Sequence, residues 1–419
     1  MPSLSENLRL LRKGAGLTQK QLASRCRMAT ITIRQYESGK REPRSPQLAR
    51  LADALGVSAA ELLLGTDVDY ADHGRLSHDR KERLDAYQRA LLPKGERLSA
   101  DLLIMGEILV EIMREKEDVP FAQPGVFQGP YPSGAPAICA SAAARLGCGT
   151  ALIGCVGADD FGQFVTERLQ ADGVDCRCIQ QDGGASTGCA FVTYSHDGSR
   201  KFIFHMGAAA HAAAPASEQL GPVRFMHIMG CSLTAGEQLA QGILDTMHAL
   251  LRSGTKISFD PNIRKELLDS DDTQEIFRDV LAHASILLPG REELLFLTGK
   301  EDIETAVQQC FENPALEVLV LKDGARGCSL YTRNPAPENP DAASSAVTET
   351  FIRAYPVTQV DPTGAGDCFD GAFLAGLIQG KTPEEAARMG SAAGALNAMA
   401  FGPMEGDLSA KKIDRFLAR

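Results

Sequence analysis

A run of small residues, Gly364-Ala365-Gly366, lies between Asp361 and Asp367 and is followed by an apolar, helix-like segment. Glycine adopts backbone conformations closed to other residues, so the N–H groups of such a turn can converge on one point. The positive end of the helix dipole faces the same point, which suits it to bind an anion. Asp367 would lie beside that anion, where a carboxylate binds phosphate poorly but accepts a proton from an attacking hydroxyl. The segment 361–367, called here the glycine motif, therefore predicts phosphoryl transfer to a hydroxyl group.

Glycines before a helix also make ordinary tight turns, so the interpretation needs support from elsewhere in the chain. The glycine motif, Asp-Pro-Thr-Gly-Ala-Gly-Asp continued by Cys-Phe-Asp-Gly-Ala-Phe, resembles the C-terminal motif of the ribokinase-like (PfkB) sugar kinases. A second segment, 133–162, begins with Ser-Gly-Ala-Pro-Ala, ends with Gly-Ala-Asp-Asp-Phe-Gly, and resembles the upstream motif of the same family. The resemblance covers about residues 101–405. Within it, segments 106–111 and 132–137 look most like ketohexose kinases, tagatose kinase in particular.

The length and the charge distribution predict two domains. A chain of 419 residues exceeds one ordinary core and fits a small domain followed by a large one. Residues 1–65 carry a net charge of +6, whereas the whole chain carries −11, which indicates that only the N-terminal part meets a polyanion. We expect an N-terminal domain at 1–65, a charged linker at 66–99 that is helical over about 77–91, and a C-terminal domain at 100–419.

The apolar runs and the cysteines indicate the cellular compartment of the protein. The longest apolar runs are short, and the first residues, MPSLSENLRLLRK, lack the apolar core of a signal peptide. We therefore expect a cytoplasmic protein without membrane contact. The eleven cysteines form neither a CxxC pair nor a Cys/His cluster, so we expect neither zinc nor disulfides.

Residues 1–65 predict an all-α domain of five short helices, with Thr18-Gln19-Lys20-Gln21 as the capping box of the second. Segments 17–23 and 33–43 resemble the Cro/repressor-type helix-turn-helix family. In that family the third helix, here about 30–37, enters the major groove of DNA. The resemblance assigns base contacts to Thr30, Ile31, Arg34 and Gln35, and phosphate contacts to Gln19, Lys40 and Arg41. For any single basic residue, a solvated surface position is an equally good explanation.

The remainder of the chain predicts an α/β domain. From residue 102, apolar strand-like segments, the first interpreted as 102–112, alternate with amphipathic helices, which is typical of a doubly wound, mostly parallel sheet. Such sheets bind ligands at the carboxyl ends of their strands. Segments 189–195 and 201–205 alternate like a hairpin joined at Asp197-Gly198. The family resemblance implies that this hairpin belongs to a small β lid over the sugar.

The resemblance also implies roles for individual residues. It assigns catalysis to Asp367 as the base, Gly364, Ala365 and Gly366 as the cradle, and Arg264 as a charge stabiliser. It assigns the sugar to Glu111, Gly134, Ala135, Asn262 and Asp367, with Glu107 as an alternative carboxylate. It assigns ATP to Lys322, Gly324, Gly327, Gly364, Gly366 and Asn397, and the metal, Mg²⁺, to Glu293. Surface capping remains the alternative for Arg264, and a structural role remains the alternative for Lys322.

Two positions depart from the family pattern. Ile138 stands where the family usually carries an asparagine, so one amide that binds sugar hydroxyls is lost. Gly290 stands where the family's metal-associated Asn-x-x-Glu begins, while Glu293 is retained. Magnesium in kinases is held mostly by phosphates and water, so this change is compatible with metal binding.

Together these features predict an ATP- and Mg²⁺-dependent kinase for a primary hydroxyl of a ketohexose, of the tagatose or fructose class, joined to a DNA-binding domain. We expect sugar, ATP and duplex DNA as partners, and a homodimer. One alternative is a sugar-responsive transcription regulator with a catalytically weak kinase-like domain, which Ile138 and Gly290 favour and Asp367 disfavours. The other alternative is a nucleoside kinase of the same family.

Overall fold

The computed structural model describes residues 4–15, 17–26, 28–41, 43, 45–55, 62, 88–89, 91–196, 199–263, 271–334 and 347–418. The chain divides into two compact units, Met1–Glu82 and Arg83–Arg419, called here the N-terminal unit and the C-terminal unit. Their boundary lies inside the segment 66–99 that the sequence predicts as a linker. Across the described ranges, no helix has both the length and the apolar character needed to span a membrane.

Four helices form the described part of the N-terminal unit: α1 Leu4–Gly14, α2 Gln19–Arg25, α3 Thr30–Glu37 and α4 Ser45–Leu55. The predicted capping box is confirmed, because Thr18 Oγ1 accepts from the Gln21 N–H and Gln21 Oε1 accepts from the Thr18 N–H. The helices share one core, whose buried side chains include Leu8, Leu22, Ile33, Leu51 and Leu62. Of the predicted fifth helix only Leu62 is described, and residues 56–61 and 63–65 lie outside the described residues.

An ion pair joins α1 to α3. Arg12 donates through Nε and Nη2 to the two carboxylate oxygens of Glu37, and through Nη1 to Leu17 O at 2.7 Å. Burial raises the pKa of Glu37, but Arg12 and Gln19 outweigh it and hold this pKa below its usual value. Because the two side chains are only 10% and 4% exposed, the pair is a structural link that orients α3.

The C-terminal unit is built on strands. They are β1 Gln88–Arg89, β2 Leu98–Met105, β3 Leu109–Arg114, β4 Phe127–Ser133, β5 Thr150–Gly157, β6 Ile179–Asp182, β7 Gly188–Tyr194, β8 Arg200–His205, β9 Ala214–Pro215, β10 Leu220–Met229, β11 Lys256–Asp260, β12 Ala284–Leu287, β13 Val318–Lys322, β14 Gly327–Arg333 and β15 Val347–Arg353. Nine of them form one sheet in the order β15-β14-β13-β12-β11-β10-β2-β5-β6. Among these nine described strands, β14 alone runs antiparallel to the others, and the winding direction reverses between β2 and β10. The predicted doubly wound, mostly parallel sheet is confirmed.

Helices cover both faces of this sheet. They are α5 Ala135–Arg145, α6 Asp160–Ala171, α7 Gly230–Thr234, α8 Glu237–Leu251, α9 Asp271–His283, α10 Arg291–Thr298, α11 Ile303–Cys310, α12 Ala365–Ile378, α13 Pro383–Asn397 and α14 Ala410–Leu417. Successive residues of β2 enter different cores. Leu102 and Ile104 join the core that contains α5 and α12, whereas Leu103 and Met105 join the core that contains α8 and α9. The period of two in a strand therefore explains why both faces are apolar.

The interpretation of 102–112 as one strand-like segment is wrong. The structure ends β2 at Met105 and begins β3 at Leu109, and β3 belongs to a different sheet. Gly106 permits the close approach at the break, because a Cβ there would lie 2.3 Å from Pro136 Cγ and 2.5 Å from Ser232 Oγ. Since both halves are apolar, hydropathy alone does not mark the break.

The second sheet has the order β4-β3-β7-β8 and corresponds to the predicted lid. Strands β7 and β8 pair antiparallel, with Cys189 opposite His205 and Tyr194 opposite Arg200, which confirms the predicted hairpin pairing. The predicted joint at Asp197-Gly198 lies outside the described residues. The name lid is kept below for this four-stranded sheet.

Part of the predicted linker, β1 and Leu92, packs within the C-terminal unit. Strand β1 pairs parallel to β9, and Leu92 is buried. The Gln219 side chain accepts from the Leu91 N–H at 2.7 Å and donates to Leu92 O at 2.5 Å. The predicted helix over 77–91 therefore does not include β1, and residues 77–87 lie outside the described residues. The sequence prediction missed this packing because the partner residues lie far along the chain.

A fully buried histidine lies on β10, next to the central β2. His227 Nδ1 is 3.0 Å from Ser258 Oγ on β11. Burial lowers the pKa of His227 from an ordinary value of 6.5 to about 4. The fold therefore accommodates the neutral ring over the physiological range.

We expect His227→Gln to weaken the pH dependence of folding. Between pH 6.5 and 4 the unfolded chain protonates this histidine and the folded chain does not, so the free energy of unfolding of the wild type falls as the pH falls. One such group contributes about 1.4 kcal/mol per pH unit, so the variant should lose about 2 kcal/mol less than the wild type from about pH 6.5 to 5. Urea unfolding followed by circular dichroism measures this. His205→Gln, an exposed position on the lid, is the control, and equal pH dependence of His227→Gln and wild type would contradict the prediction.

Candidate active site

The glycine motif forms the turn and helix start that its sequence predicts. Gly364 has φ 75°, in the left-handed region, and α12 begins at the next residue. A Cβ at Gly364 would lie 2.2 Å from Pro403 O, so only glycine fits there. Gly366 differs, because a Cβ at this position would meet no atom within 4 Å. Its backbone borders open space at the positive end of a 14-residue helix, where an anion is stabilised.

Buried side chains hold the motif loop in place. Asp361, which is 1% exposed, accepts from the Thr363 N–H at 2.9 Å and from the Gly402 N–H at 3.0 Å. Asn397 Nδ2 donates to Thr363 O at 2.8 Å and to Pro403 O at 3.1 Å. The side chain of Asn397 therefore supports the loop from inside the fold, whereas the sequence analysis assigned it to ATP.

Two buried carboxylates lie close together in the chain, Glu107 just after β2 and Glu111 on β3. Glu107 accepts from Ser232 Oγ at 2.5 Å and from Cys231 Sγ at 3.2 Å, just beyond the end of β10. Glu111 on β3 accepts from Ser133 Oγ at 2.7 Å. Both carboxylates border one cavity at the point where the winding of the sheet reverses, the usual ligand position in this class of sheet. The structure therefore places Glu107 beside the predicted Glu111.

The end of β11 meets the start of α12 at Asp367. Asn262 Nδ2 donates to Asp367 Oδ1 at 3.1 Å, and the Asn262 N–H donates to Asp260 Oδ1 at 3.1 Å. Asn262 has φ 34°, a conformation that residues other than glycine seldom adopt. Asp367 is 6% exposed and borders the same cavity. Two residues that the sequence analysis assigned to one site thus lie in direct contact.

Lys322 ends β13 and borders the cavity, but two carboxylates engage its charge. Its Nζ lies 2.9 Å from Asp260 Oδ2 and 3.1 Å from each carboxylate oxygen of Asp370. Burial raises the pKa of Asp370 well above its usual range. Burial acts in the same direction on Asp260, but Lys322 outweighs it and lowers the pKa of Asp260. This geometry favours the structural alternative for Lys322 over a contact with ATP.

Glu293 lies in the first turn of α10. Its Oε2 accepts from the Gly290 N–H at 2.6 Å, and its Oε1 accepts from the Ile263 N–H at 3.0 Å. Burial, reinforced by the nearby Asp260 carboxylate, raises the pKa of Glu293. A Cβ at Gly290 would lie 3.1 Å from Glu293 Oε2, so the glycine leaves room beside this carboxylate at the edge of the cavity.

The lid contributes side chains that the sequence analysis did not assign. From β8 and the residue after it, the cavity is bordered by Arg200, Phe202, Phe204 and Met206. Arg200 Nη1 donates to Thr363 Oγ1 at 3.2 Å, and the Tyr194 hydroxyl donates to Asp361 Oδ1 at 3.3 Å. The alternation of β8 shows which residues share a face, but no sequence spacing relates them to the distant glycine motif.

These groups border one cavity of about 320 Å³, at the small end of the usual range for ligand sites. Ala365 and Gly327 do not border it, and the Ala365 N–H donates within the turn to Pro362 O at 3.2 Å. Arg264 lies outside the described residues. Ile138 does border the cavity, so an apolar surface stands there. The residues assigned from the sequence that border the cavity are Glu111, Gly134, Ala135, Asn262, Glu293, Lys322, Gly324, Gly364, Gly366 and Asp367.

The third helix of the N-terminal unit has an exposed side. On it and in the following turn, the exposed residues are Ile31, Arg34, Lys40 and Arg41, whereas Thr30 and Gln35 are half-buried. Gln19 Nε2 donates to Glu37 Oε2 at 2.8 Å, so this amide supports the Arg12–Glu37 pair within the fold. The sequence analysis had assigned Gln19 to a phosphate.

Comparisons with known proteins agree with this architecture. The sequence profile described as pfkB family carbohydrate kinase matches residues 101–410, and a helix-turn-helix domain profile matches residues 3–64. Among curated sequences, Fructokinase-1 of Oryza sativa subsp. japonica is 33% identical over 306 residues, which cover 70% of this chain and 90% of that protein. Fructokinase-2 of Solanum lycopersicum is 30% identical over 294 residues, which cover 69% and 85%.

Solved structures show the same fold. A ribokinase II from E. coli in complex with ATP and Mg²⁺ is 37% identical with a TM-score of 0.68, and the match covers 76% of this chain and 99% of that one. Fructokinase from Vibrio cholerae O395 with fructose, ADP and calcium is 25% identical with a TM-score of 0.60, covering 75% and 98%. The protein therefore belongs to the pfkB family of carbohydrate kinases, and it carries a helix-turn-helix domain ahead of its kinase domain.

Proposed function

We propose that the protein transfers the γ-phosphoryl group of ATP to a primary hydroxyl of a ketohexose. The observation that carries this proposal is the single cavity shared by Asp367, the start of α12, and the carboxylates of Glu107 and Glu111. The two carboxylates can accept hydrogen bonds from sugar hydroxyls, and the start of α12 favours a phosphate. A proton acceptor lies in the same cavity as both functions, as phosphoryl transfer to a hydroxyl requires.

Asp367 is the general base of this proposal. Its carboxylate takes the proton of the acceptor hydroxyl while that oxygen attacks the γ-phosphorus, and the bond to ADP breaks. Asn262 holds one carboxylate oxygen through its 3.1 Å hydrogen bond. Gly364 and Gly366, at the helix start, offset the charge on the phosphoryl group. The aromatic side chains of the lid exclude water that would compete as acceptor.

Magnesium is the cofactor that we propose. Mg²⁺ in kinases is held mostly by substrate phosphates and water with one or two carboxylates, so this proposal needs few protein ligands. Glu293 fits this arrangement, because each of its oxygens keeps acceptor capacity beyond one backbone N–H and can hold a metal-bound water. When bound, the ion would neutralise phosphate charge. The E. coli neighbour was solved with ATP and Mg²⁺, which supports the same assignment.

Fructose is the acceptor that the relatives favour. Two relatives are named fructokinases, and the V. cholerae structure contains fructose. Tagatose, a ketohexose with the same hydroxymethyl ketone end, is the second choice. An ADP-release assay over fructose, tagatose, aldohexoses, ribose and adenosine tests the acceptor directly. No turnover on this panel, combined with a higher melting temperature in the presence of one sugar, would support the regulator without catalysis instead.

We also propose that the N-terminal unit binds duplex DNA through α3, with two copies of the chain reading two half-sites. The support is the helix-turn-helix match, the charge of +6 over residues 1–65, and the exposure of Arg34, Lys40 and Arg41. Binding of sugar with an ATP analogue is proposed to change DNA affinity several-fold, and DNA is then expected to change sugar affinity by the same factor.

We expect Asp367→Asn to lower kcat by at least about a hundredfold, because the amide keeps the shape of the side chain but removes the proton acceptor. Calorimetric affinities for fructose and ATP should persist. Asp414→Asn, an exposed carboxylate on α14, is the matched control and should retain wild-type kcat. Undiminished kcat in Asp367→Asn would remove this residue from the mechanism.

A pair of glycine variants separates the helix start as a ligand site from its role in folding. Gly366→Ala adds a methyl group in open space, so the thermal midpoint should hold or rise, whereas kcat/KM for ATP should fall at least about tenfold if phosphate occupies that space. Gly364→Ala should lower the thermal midpoint by several degrees, because φ 75° and Pro403 O exclude the side chain. Wild-type kinetics in Gly366→Ala would argue against a phosphate at this helix start.

For DNA binding, we expect the full-length protein to bind a fluorescent duplex with an affinity that falls steeply as salt rises. Replacing Arg34, Lys40 and Arg41 together by alanine should weaken binding at least about tenfold and flatten the salt dependence. Arg9→Ala, an exposed arginine on α1, is the control. Equal salt dependence of the triple variant and wild type would place the DNA contact elsewhere. Repeating the titration with fructose and an ATP analogue tests the coupling, and identical curves would show none.

A further inference from the structure

Three elements of the C-terminal unit are joined by one largely buried lysine. Lys322 ends β13, Asp260 ends β11, and Asp370 lies one turn into α12. The side chains of the two aspartates are 3% and 0% exposed, and that of Lys322 is 17% exposed. A lone carboxylate is costly to bury, so both depend on the lysine as a counter-charge.

Burial and the lysine act differently on the two aspartates. Burial raises the pKa of Asp370 well above its usual range, whereas Lys322 outweighs burial and keeps the pKa of Asp260 low. The ionised form is therefore favoured at Asp260, the aspartate that also accepts from the Asn262 N–H. A positive charge beside an ionised carboxylate is what a site excluded from water requires.

From Asp260 a chain of hydrogen bonds leads to the proposed base. Asp260 Oδ1 accepts from the Asn262 N–H at 3.1 Å, which supports the uncommon φ of 34° at Asn262. Asn262 Nδ2 then donates to Asp367 Oδ1 at 3.1 Å. Asp370 lies one turn after Asp367 on α12, so Lys322 also contacts the helix that carries the base.

We propose that Lys322 is a positioning residue that holds Asp260 and α12, and thereby orients Asn262 and Asp367 for proton abstraction. This inference rests on the proposed function of Asp367 as the base. The role differs from direct binding of ATP. A positioning residue acts on the reacting geometry and hence on kcat, whereas removal of a side chain that binds phosphate in the ground state raises KM for ATP.

The first test is Lys322→Met in the full-length protein, with fructose as the acceptor. We expect kcat to fall about 10- to 100-fold, the scale of a misplacement near 1 Å, with KM for ATP changed less than about threefold. Lys300→Met, an exposed lysine after α10, is the matched control. A tenfold rise in KM for ATP with kcat retained would overturn the proposal, as would unchanged kinetics.

The second test is rescue by charge balance. Adding Asp260→Asn to Lys322→Met removes the unpaired charge while Asn keeps an acceptor oxygen for the Asn262 N–H, so kcat should recover at least about fivefold relative to Lys322→Met. This second change would not restore a lysine that binds ATP directly, and absence of recovery counts against the proposal.

If Lys322→Met does not fold, two single variants decide. Asp260→Ala removes both the acceptor of the Asn262 N–H and a contact of Lys322, whereas Asp370→Ala removes contacts of Lys322 but leaves that acceptor in place, so Asp260→Ala should lower kcat several-fold more than Asp370→Ala. Equal losses would overturn the proposal. Asp367→Asn, measured alongside, separates the hypothesis that Asp367 is the base from the hypothesis that Lys322 positions it. If Asp367→Asn is inactive while Lys322→Met retains kcat, Asp367 is supported as the base and the positioning role of Lys322 is wrong. If Asp367→Asn is fully active, or no panel sugar is turned over, both fall.

Discussion

The parallel pairing of β2, β10, β11, β12 and β13 is the constraint on which the active site depends. Parallel strands end at the same edge of a sheet, so groups from distant parts of the chain must emerge side by side there. The reversal of winding between β2 and β10 opens a crevice at this edge, because the connections leave in opposite directions. The start of α12 closes one side of the crevice with backbone N–H groups.

Buried charge is the second feature of the site. Carboxylates of Glu107, Glu111, Asp260, Asp367 and Asp370 are each at most 6% exposed. Their burial is tolerated because hydroxyls, backbone N–H groups, one amide and one lysine supply partners. Such density of paired carboxylates costs free energy that a purely structural core would avoid, and this is typical of a site selected for chemistry.

The N-terminal unit also combines a small apolar core with a buried ion pair. Its core is a small set of mostly leucine, isoleucine and tyrosine side chains, and the Arg12–Glu37 pair and the Gln19 amide add polar contacts that join α1 and α2 to α3. The Gln19 amide donates to Glu37 and therefore takes part in the contacts between helices. The exposed Arg34, Lys40 and Arg41 are the basic side chains of α3 and the turn after it that face solvent.

Local chemistry was readable from the sequence. The left-handed Gly364, the helix after it, the Thr18 capping box and the hairpin of β7 and β8 depend on residues close in the chain, so their patterns predicted them. Through the family resemblance, the sequence analysis also predicted that Asn262 and Asp367 share one site. It did not separate β2 from β3, did not recognise that β1 and Leu92 pack into the C-terminal unit, and left open whether Lys322 contacts ATP. Only the tertiary structure decided that Lys322 pairs with Asp260 and Asp370. It also decided that Arg200 and Tyr194 of the lid reach the glycine motif. Such pairings arise from the order of the strands and from the contact between the two sheets, because these bring together residues that no local sequence pattern relates.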